Sequence, residues 1–392
     1  MRFNPAILET EAPPLVGLMA RARALTEDGA DVINLCQATI DLPPPRSFVD
    51  AVAEALARPE THGYAPDQGL LELRAALAAY AERSFGVRWD PETEIMVTAG
   101  ANLACYAALS VLARPGDEVL IPSPWYFNHA MTLTMLGAKP MAVPGRPEKG
   151  LVPEQAALDA AVSERTRGLV LVNPNNPTGA RYRDSLVDYL SVVAKDNDLW
   201  MLSDQTYQEI HFGLDRPVSA ASMDELRDRT ATAGSFSKSL GLAGWRIGFL
   251  AGPAELIEQV LKIQDCTAIC APRVAQIGLL AALPDIEAHT EMVRGTLRER
   301  REWLLGSLNS AGITLFTEPG GACFLFLRLP EGTDDRQFCA SLLEQMHVAA
   351  VPGSAFGPGG EGHVRISFGA CESSRLAEAA KRLARFLESS DS

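Results

Sequence analysis

From about residue 94 to residue 252 the chain alternates short β-rich runs with helical patterns, and this alternation restricts the fold more than any other feature. Glu94–Thr98, Val119–Ile121, Leu169–Val172, Leu199–Leu202, Thr230–Ala233 and Ile247–Ala251 read as strands, and Pro140–Val143 as extended chain. Helical stripes fall between them at Ala101–Ala113, Ala130–Leu136, Glu154–Val162 and Asp184–Lys195. The run at 169–172, Leu-Val-Leu-Val, is short and wholly apolar, as a strand buried on both faces should be. The alternation predicts an α/β fold with a mostly parallel sheet covered by helices on both sides. Ligands of such sheets lie beyond the carboxyl ends of the strands, so the residues that follow each strand are where function is sought.

After residue 284 the pattern changes. A long charged helix is predicted over about 285–311, then an apolar strand, Ala322–Leu327, and a helix over about 334–347. A Gly/Pro-rich loop (Pro352–Gly362), a strand (His363–Phe368) and a last helix follow, as in a smaller α+β domain. The proline-rich Leu42–Pro45 marks where an N-terminal arm crosses into the large domain. The expected division is an arm with part of the small domain at 1–45, a large domain at 46–284 and a small domain at 285–392.

Charge and composition narrow the function. A net charge of −14 argues against a nucleic-acid partner, which needs a basic face. Met1-Arg-Phe-Asn-Pro5 lacks the apolar run of a signal peptide, and no unbroken apolar stretch is long enough to span a bilayer, so a cytoplasmic protein without a membrane partner is expected. The seven cysteines (36, 105, 266, 270, 323, 339 and 371) are scattered. Cys266 and Cys270 are four apart with no second pair or histidine cluster, so buried free thiols rather than a metal site are expected.

Four strand ends carry candidate chemistry. Glu94–Thr98 runs into Ala99-Gly100-Ala101-Asn102, where small residues let the amides of a starting helix approach an anion; a tight connection would use the same residues. Leu169–Val172 ends in Asn173-Pro-Asn-Asn-Pro-Thr-Gly179, a rigid turn; capping alone explains its prolines but not its three asparagines. Leu199–Leu202 ends in Ser203-Asp204-Gln205-Thr206-Tyr207, where an acid after apolar strand residues needs a partner, unless it is a helix N-cap. Thr230–Ala233 ends in Gly234-Ser-Phe-Ser-Lys-Ser-Leu-Gly241, followed by Ala243-Gly-Trp-Arg-Ile-Gly248. The chain has only six lysines, and Lys238 alone stands at a strand end; the others fall on helices or in loops.

These strand ends match the needs of pyridoxal 5′-phosphate. Its aldehyde needs an amine, and Lys238 supplies one, provided that cations or desolvation help it lose its proton. Its ring nitrogen needs a fixed carboxylate, which Asp204 can be. Its phosphate needs amides, hydroxyls and a forked cation, for which Gly100, Ala101, Asn102, Ser235, Ser237 and Arg246 are candidates. Asn176 and Tyr207 are the candidate donors to the ring hydroxyl.

With these residues in this order, the chain resembles the class I/II aminotransferases of PLP fold type I along essentially its whole length. The resemblance rests on Tyr64–Arg74, Thr98–Asn102, Asn173–Gly179, Asp204–Tyr207, Ser235–Ser239, Gly244–Gly248 and His363–Phe368. It implies a seven-stranded, mostly parallel sheet with a smaller α+β domain, and a homodimer with shared active sites. Tyr64 resembles the tyrosine that reaches the neighbouring subunit's phosphate. Tyr126 falls where the family stacks a ring on the cofactor, with Trp125 as the rival one residue away. Arg365 resembles the arginine that grips the substrate α-carboxylate, although without the resemblance it reads as a solvated strand arginine. Ala38-Thr39-Ile40-Asp41 departs from the Gly-x-Pro-Asp stretch of many relatives, and Ala38 is expected at the substrate.

The resemblance implies ping-pong transamination through a Schiff base on Lys238, between an α-amino acid and a 2-oxo acid such as 2-oxoglutarate, with Lys238, Asp204 and Tyr207 doing the chemistry. A β-lyase, a cyclising synthase or a decarboxylase could use the same scaffold, and a non-catalytic regulator is a further alternative. Arg273 could favour an acidic donor by approaching the pocket, or could simply open a surface helix.

Overall fold

The computed structural model describes residues 1–12, 15–213, 215–313 and 318–390, with the side chains of 389 and 390 left aside. Its strands, in chain order, are β1 (Ile33–Asn34), β2 (Ile95–Thr98), β3 (Glu118–Ser123), β4 (Lys139–Arg146) and β5 (Val152–Pro153). Then come β6 (Thr166–Val172), β7 (Trp200–Asp204), β8 (Thr230–Ser235) and β9 (Gly248–Ala251). The last four are β10 (Phe324–Arg328), β11 (Val348–Ala349), β12 (Val351–Pro352) and β13 (His363–Ser367).

The large sheet has the order β2-β9-β8-β7-β6-β3-β4-β5. Seven of its strands match the expected number, and the eighth, β5, is a two-residue antiparallel edge on β4. β3, β4, β6, β7 and β8 run parallel, whereas β9 is antiparallel to both β2 and β8. Two reversals restore direction, so β2 points the same way as β8. The carboxyl ends of β2, β6, β7 and β8 and the amino end of β9 therefore gather at one edge. β2, β3 and β9 are buried at every residue; most of these are apolar, as strands covered on both faces require, and the buried Glu118 of β3 is paired with Arg165.

Two strands run further than their apolar runs suggest. Ser203 and Asp204 belong to β7, and Gly234 and Ser235 to β8, because the ladder continues through Asp204↔Ala233 and Ser235↔Gly248. Backbone pairing, not side-chain polarity, sets where these strands stop. The helix expected at Ala130–Leu136 starts earlier, at Phe127, and ends at Met135.

A second, three-stranded sheet has the order β10-β13-β12, all antiparallel. Its apolar face packs on the 25-residue helix Ile286–Ser310 and the helix Asp335–Met346. Asp334 caps the latter, accepting from the amides of Arg336 at 2.9 Å and Gln337 at 3.0 Å. The N-terminal arm joins this region through β1, which pairs in parallel with β11. Arg300 bonds Asp41 at 2.7 Å, and Arg375 and Arg382 both meet Asp31.

All seven cysteines are free, but the expectation of uniformly buried thiols fails at Cys266, which is exposed, and Cys270, which is half-buried. The helix Ala254–Thr267 buries Ile257, Val260 and Gln264, and this spacing turns Cys266 to the opposite face. Among the described residues no helix is long and apolar enough to cross a membrane.

Gly234 in β8 touches the ring of Phe249 so closely that a Cβ would overlap it. Gly234→Ala is expected to lower stability by about 1–3 kcal/mol through overpacking. A fall in the midpoint of denaturant unfolding checks this.

Candidate active site

The gathered strand ends enclose a cavity of about 210 Å³. At the end of β2 the chain turns at Gly100, whose φ of +86° suits a residue without a Cβ, and the helix Ala101–Leu112 begins. A Cβ there would overlap the guanidinium of Arg246. Arg246 lies just before β9 and itself has a φ of +53°. It donates to the carbonyls of Ala243 at 3.0 Å and Ala99 at 3.1 Å, and among the described residues it has no acidic partner. Ser235 ends β8 and accepts from the amide of Ser237 at 3.1 Å. A helix start, two hydroxyls and a cation thus face the same space, which is the chemistry of a phosphate cradle.

Asp204 ends β7 and is 5% exposed. His129 Nε2 lies 3.1 Å from its Oδ2, and its Oδ1 accepts from the Thr206 amide at 3.0 Å. A carboxylate only accepts, so Nε2 carries the proton in this pair. Burial pushes the Asp204 carboxyl upward, but the hydrogen bond and charge of His129, with the bonds from Thr206, more than offset it and hold the group below its ordinary value. Asp204 therefore stays ionised in a dry site. No helix follows Asp204 directly, so it is not an N-cap, although it bonds the Thr206 amide as a turn residue does.

Sequence reading missed His129. It sits on the helix Phe127–Met135, buried, 75 residues before its partner. Its one sequence signal is a histidine on an otherwise apolar helix face. Cys105, His129 and Asp204 bring their ligand atoms within 4.8 Å of one another, close enough to share a metal ion. Burial and then the charge of Asp204 push the Cys105 thiol well above its usual range, however, and a protonated thiol is a poor ligand. The cluster reads as support for the carboxylate.

Lys238 follows β8 and is partly buried, with no ion pair among the described residues. Burial is the largest influence and lowers its pKa; Cys323 opposes it next, and the charges of Arg246 and Arg365 then lower it further, so the net direction is down. Its amine is thus poised to lose a proton.

Arg365 lies in the middle of β13 and is 2% exposed, so the solvated-arginine alternative is overturned. Nη1 donates to Asn176 Oδ1 at 2.9 Å and Nη2 to the carbonyl of Cys36, while Nε has no partner. The guanidinium lies 4.7 Å from the ring centre of Phe324 and 4.8 Å from that of Phe356. Among the described residues no carboxylate meets this buried cation, and burial depresses its pKa. A buried charge left unpaired is costly, and an incoming anion would relieve it.

The remaining candidates divide. Asn176, Tyr207, Ala38 and Tyr126 line the cavity with Ala101 and Asn102. The Tyr126 hydroxyl accepts from Asn128 at 2.8 Å and lies 3.4 Å from Asn102 Oδ1. Trp125 instead packs against Gly357 and is not among the lining residues of the cavity. Tyr64 is 76% exposed and outside the cavity. Arg273 opens the helix Arg273–Ala282 and donates to the carbonyl of Tyr64 at 3.0 Å, so it too is away from the cavity. Leu15, Phe127, Val172 and Thr206 also line the cavity, and sequence reading named none of them for it.

The model of the family "Aminotransferase class I and II" matches residues 30–383. The chain belongs to this family. It is 35% identical to an aspartate aminotransferase of Pyrococcus abyssi, over 91% of this chain and 92% of the relative. It is 34% identical to aromatic-amino-acid aminotransferase 2 of Thermococcus litoralis, over the same shares of the two chains. Among solved structures, aspartate aminotransferase from Thermus thermophilus with maleate superposes with a TM-score of 0.93 at 31% identity, covering 99% of this chain and 100% of that one.

Membership of the class I and II aminotransferases makes the protein a PLP-dependent enzyme, and the cavity fits that cofactor. Among the described residues Arg246 has no acidic partner and the Lys238 amine no ion pair, while Asp204 is held ionised; an anionic, aromatic aldehyde satisfies all three. Gly100→Ala is expected to weaken PLP binding about tenfold, because it strains the turn and displaces Arg246. Titration of the apoprotein with PLP measures this, and unchanged affinity would contradict the cradle.

Proposed function

We propose that the enzyme is a cytoplasmic homodimer that transfers an amino group from an α-amino acid to a 2-oxo acid in two alternating half-reactions, with 2-oxoglutarate the acceptor to assay first. The observation that carries this reading is the meeting of Lys238, Asp204 and Arg365 in one cavity. When bound, pyridoxal 5′-phosphate supplies an aldehyde for the amine and a protonated ring that draws electrons from the substrate Cα.

Asp204 holds the proton on the ring nitrogen, and His129 and Thr206 fix the carboxylate that does so. Arg246, Ser235, Ser237 and the Gly100–Asn102 turn anchor the phosphate, and Tyr126 covers the ring. Asn176 and Tyr207 would hold the ring hydroxyl, and Asn176 also accepts a hydrogen bond from Arg365. Arg365 grips the substrate α-carboxylate, trading an unpaired buried charge for a paired one. Lys238 would hold the cofactor through its amine and, once freed, would serve as the base that moves the proton at the substrate Cα. Tyr64, exposed on its own subunit, reaches the phosphate of the neighbouring one. The same reading divides the chain at 1–45, 46–284 and 285–392, with β1 on β11 tying the arm to the small domain.

Two measurements follow. Lys238→Ala should cut transamination by about three orders of magnitude or more, as loss of a covalent anchor and proton carrier requires, with an unchanged far-ultraviolet circular dichroism spectrum. Normal turnover by that variant would refute the assignment. The uptake of PLP by apoprotein needs the neutral amine, so its rate should rise with pH and level off above the Lys238 pKa. Burial lowers that pKa, so the half-maximal rate should fall below the ordinary lysine value of about 10.4. Stopped-flow absorbance at a series of pH values checks this.

A further inference from the structure

The cavity has two unlike sides. Toward the large sheet it presents Asp204, Ser235, Ser237, Lys238 and Arg246. It is also lined by Leu15 and Ala38 of the arm, by Phe127 at the start of the helix Phe127–Met135, and by Arg365 of the smaller sheet. The rings of Phe127 and Phe356 lie 5.8 Å apart, and the Arg365 guanidinium lies 4.8 Å from the Phe356 ring centre. Leu15 and Phe127 belong to one apolar cluster with Phe326, Val351 and Phe356. An apolar wall therefore runs from the guanidinium to the start of the helix Leu15–Glu27.

The cations lining the cavity are Lys238, Arg246 and Arg365. In the function proposed above each is engaged, by the aldehyde, the phosphate and the α-carboxylate. Among the described residues that line it, none is left for a second carboxylate on the substrate. A carboxylate pressed against Leu15 and Phe127 would lose water and gain no partner.

We infer, resting on that proposed function, that the side-chain subsite takes a neutral apolar group, whether aliphatic, thioether or aromatic, and rejects a short acidic one. Leu15 and Phe127 set this preference, and Ala38 leaves room beside them. Aspartate is the sharpest probe of the rule, because its side chain is too short to carry its charge back to water. The acceptor meets the same wall, so 2-oxoglutarate serves only as far as its longer chain returns the distal carboxylate to solvent.

The test is the donor half-reaction of the holoenzyme in single turnover, followed by cofactor absorbance, with leucine, methionine, phenylalanine and aspartate. At least one neutral donor should react with a second-order rate constant about 100-fold above that of aspartate, the discrimination expected from an unpaired buried charge. Leu15→Arg, on a half-buried helix start, should raise the aspartate-to-leucine ratio about tenfold by offering a partner. Aspartate matching or exceeding every neutral donor in the native enzyme would overturn the inference while leaving transamination standing, as would an unmoved ratio in a folded variant. Failure of all four donors would sink the proposed function itself. The native panel decides the matter even if the variant does not fold.

Discussion

The site depends on three cations that find no acidic partner among the described residues, set around one carboxylate held ionised away from water. Arg365 is buried between two phenylalanine rings, Arg246 is bonded only to backbone carbonyls, and Lys238 has no ion pair among the described residues. Asp204 is the counterweight, yet its near partner is His129 and not one of the three. Charges left in this state cost stability, and a fold keeps them apart only if rigid elements hold them. Here the elements are strands. Asp204 is locked by pairing with Val172 and Ala233, Arg365 by pairing with Phe326 and Val351, and Arg246 by the start of β9.

Topology turns those separate locks into one site. Because β9 runs antiparallel between β2 and β8, the end of β2, the end of β8 and the beginning of β9 share an edge. Gly100 is far along the chain from Ser235 and Arg246 and meets them there only through this arrangement. Gly248 completes the packing, since a Cβ at that position would lie 2.9 Å from the Ala101 amide nitrogen. The glycines of this corner let backbone, guanidinium and helix start approach closely enough to hold one small anion.

Much of this was legible in the sequence because strands with short apolar cores end where polar residues begin. That rule found Asp204, Lys238 and Arg246, although it misplaced the last residues of β7 and β8, where backbone pairing continues past the apolar run. It could not find His129, whose importance comes from a buried contact across 75 residues rather than from its neighbours in the chain. Nor could it separate Tyr126 from Trp125, because adjacent residues before a helix differ only in which way they point. Leu15 and Phe127 were invisible as site residues for a related reason: an apolar side chain facing a cavity looks the same in sequence as one facing a core. Arg365 was ambiguous until its burial was known, since the same letter serves on a wet strand and in a dry clamp.

The central claim is that the Lys238 amine is the point of covalent attachment to the cofactor. Borohydride reduction of the PLP-loaded protein, followed by proteolysis and mass spectrometry, measures it most directly. The account predicts one phosphopyridoxyl-modified peptide, the one containing Ser235-Phe-Ser-Lys-Ser239, at near-complete occupancy. Modification of another lysine in its place, or no modification at all, would contradict it.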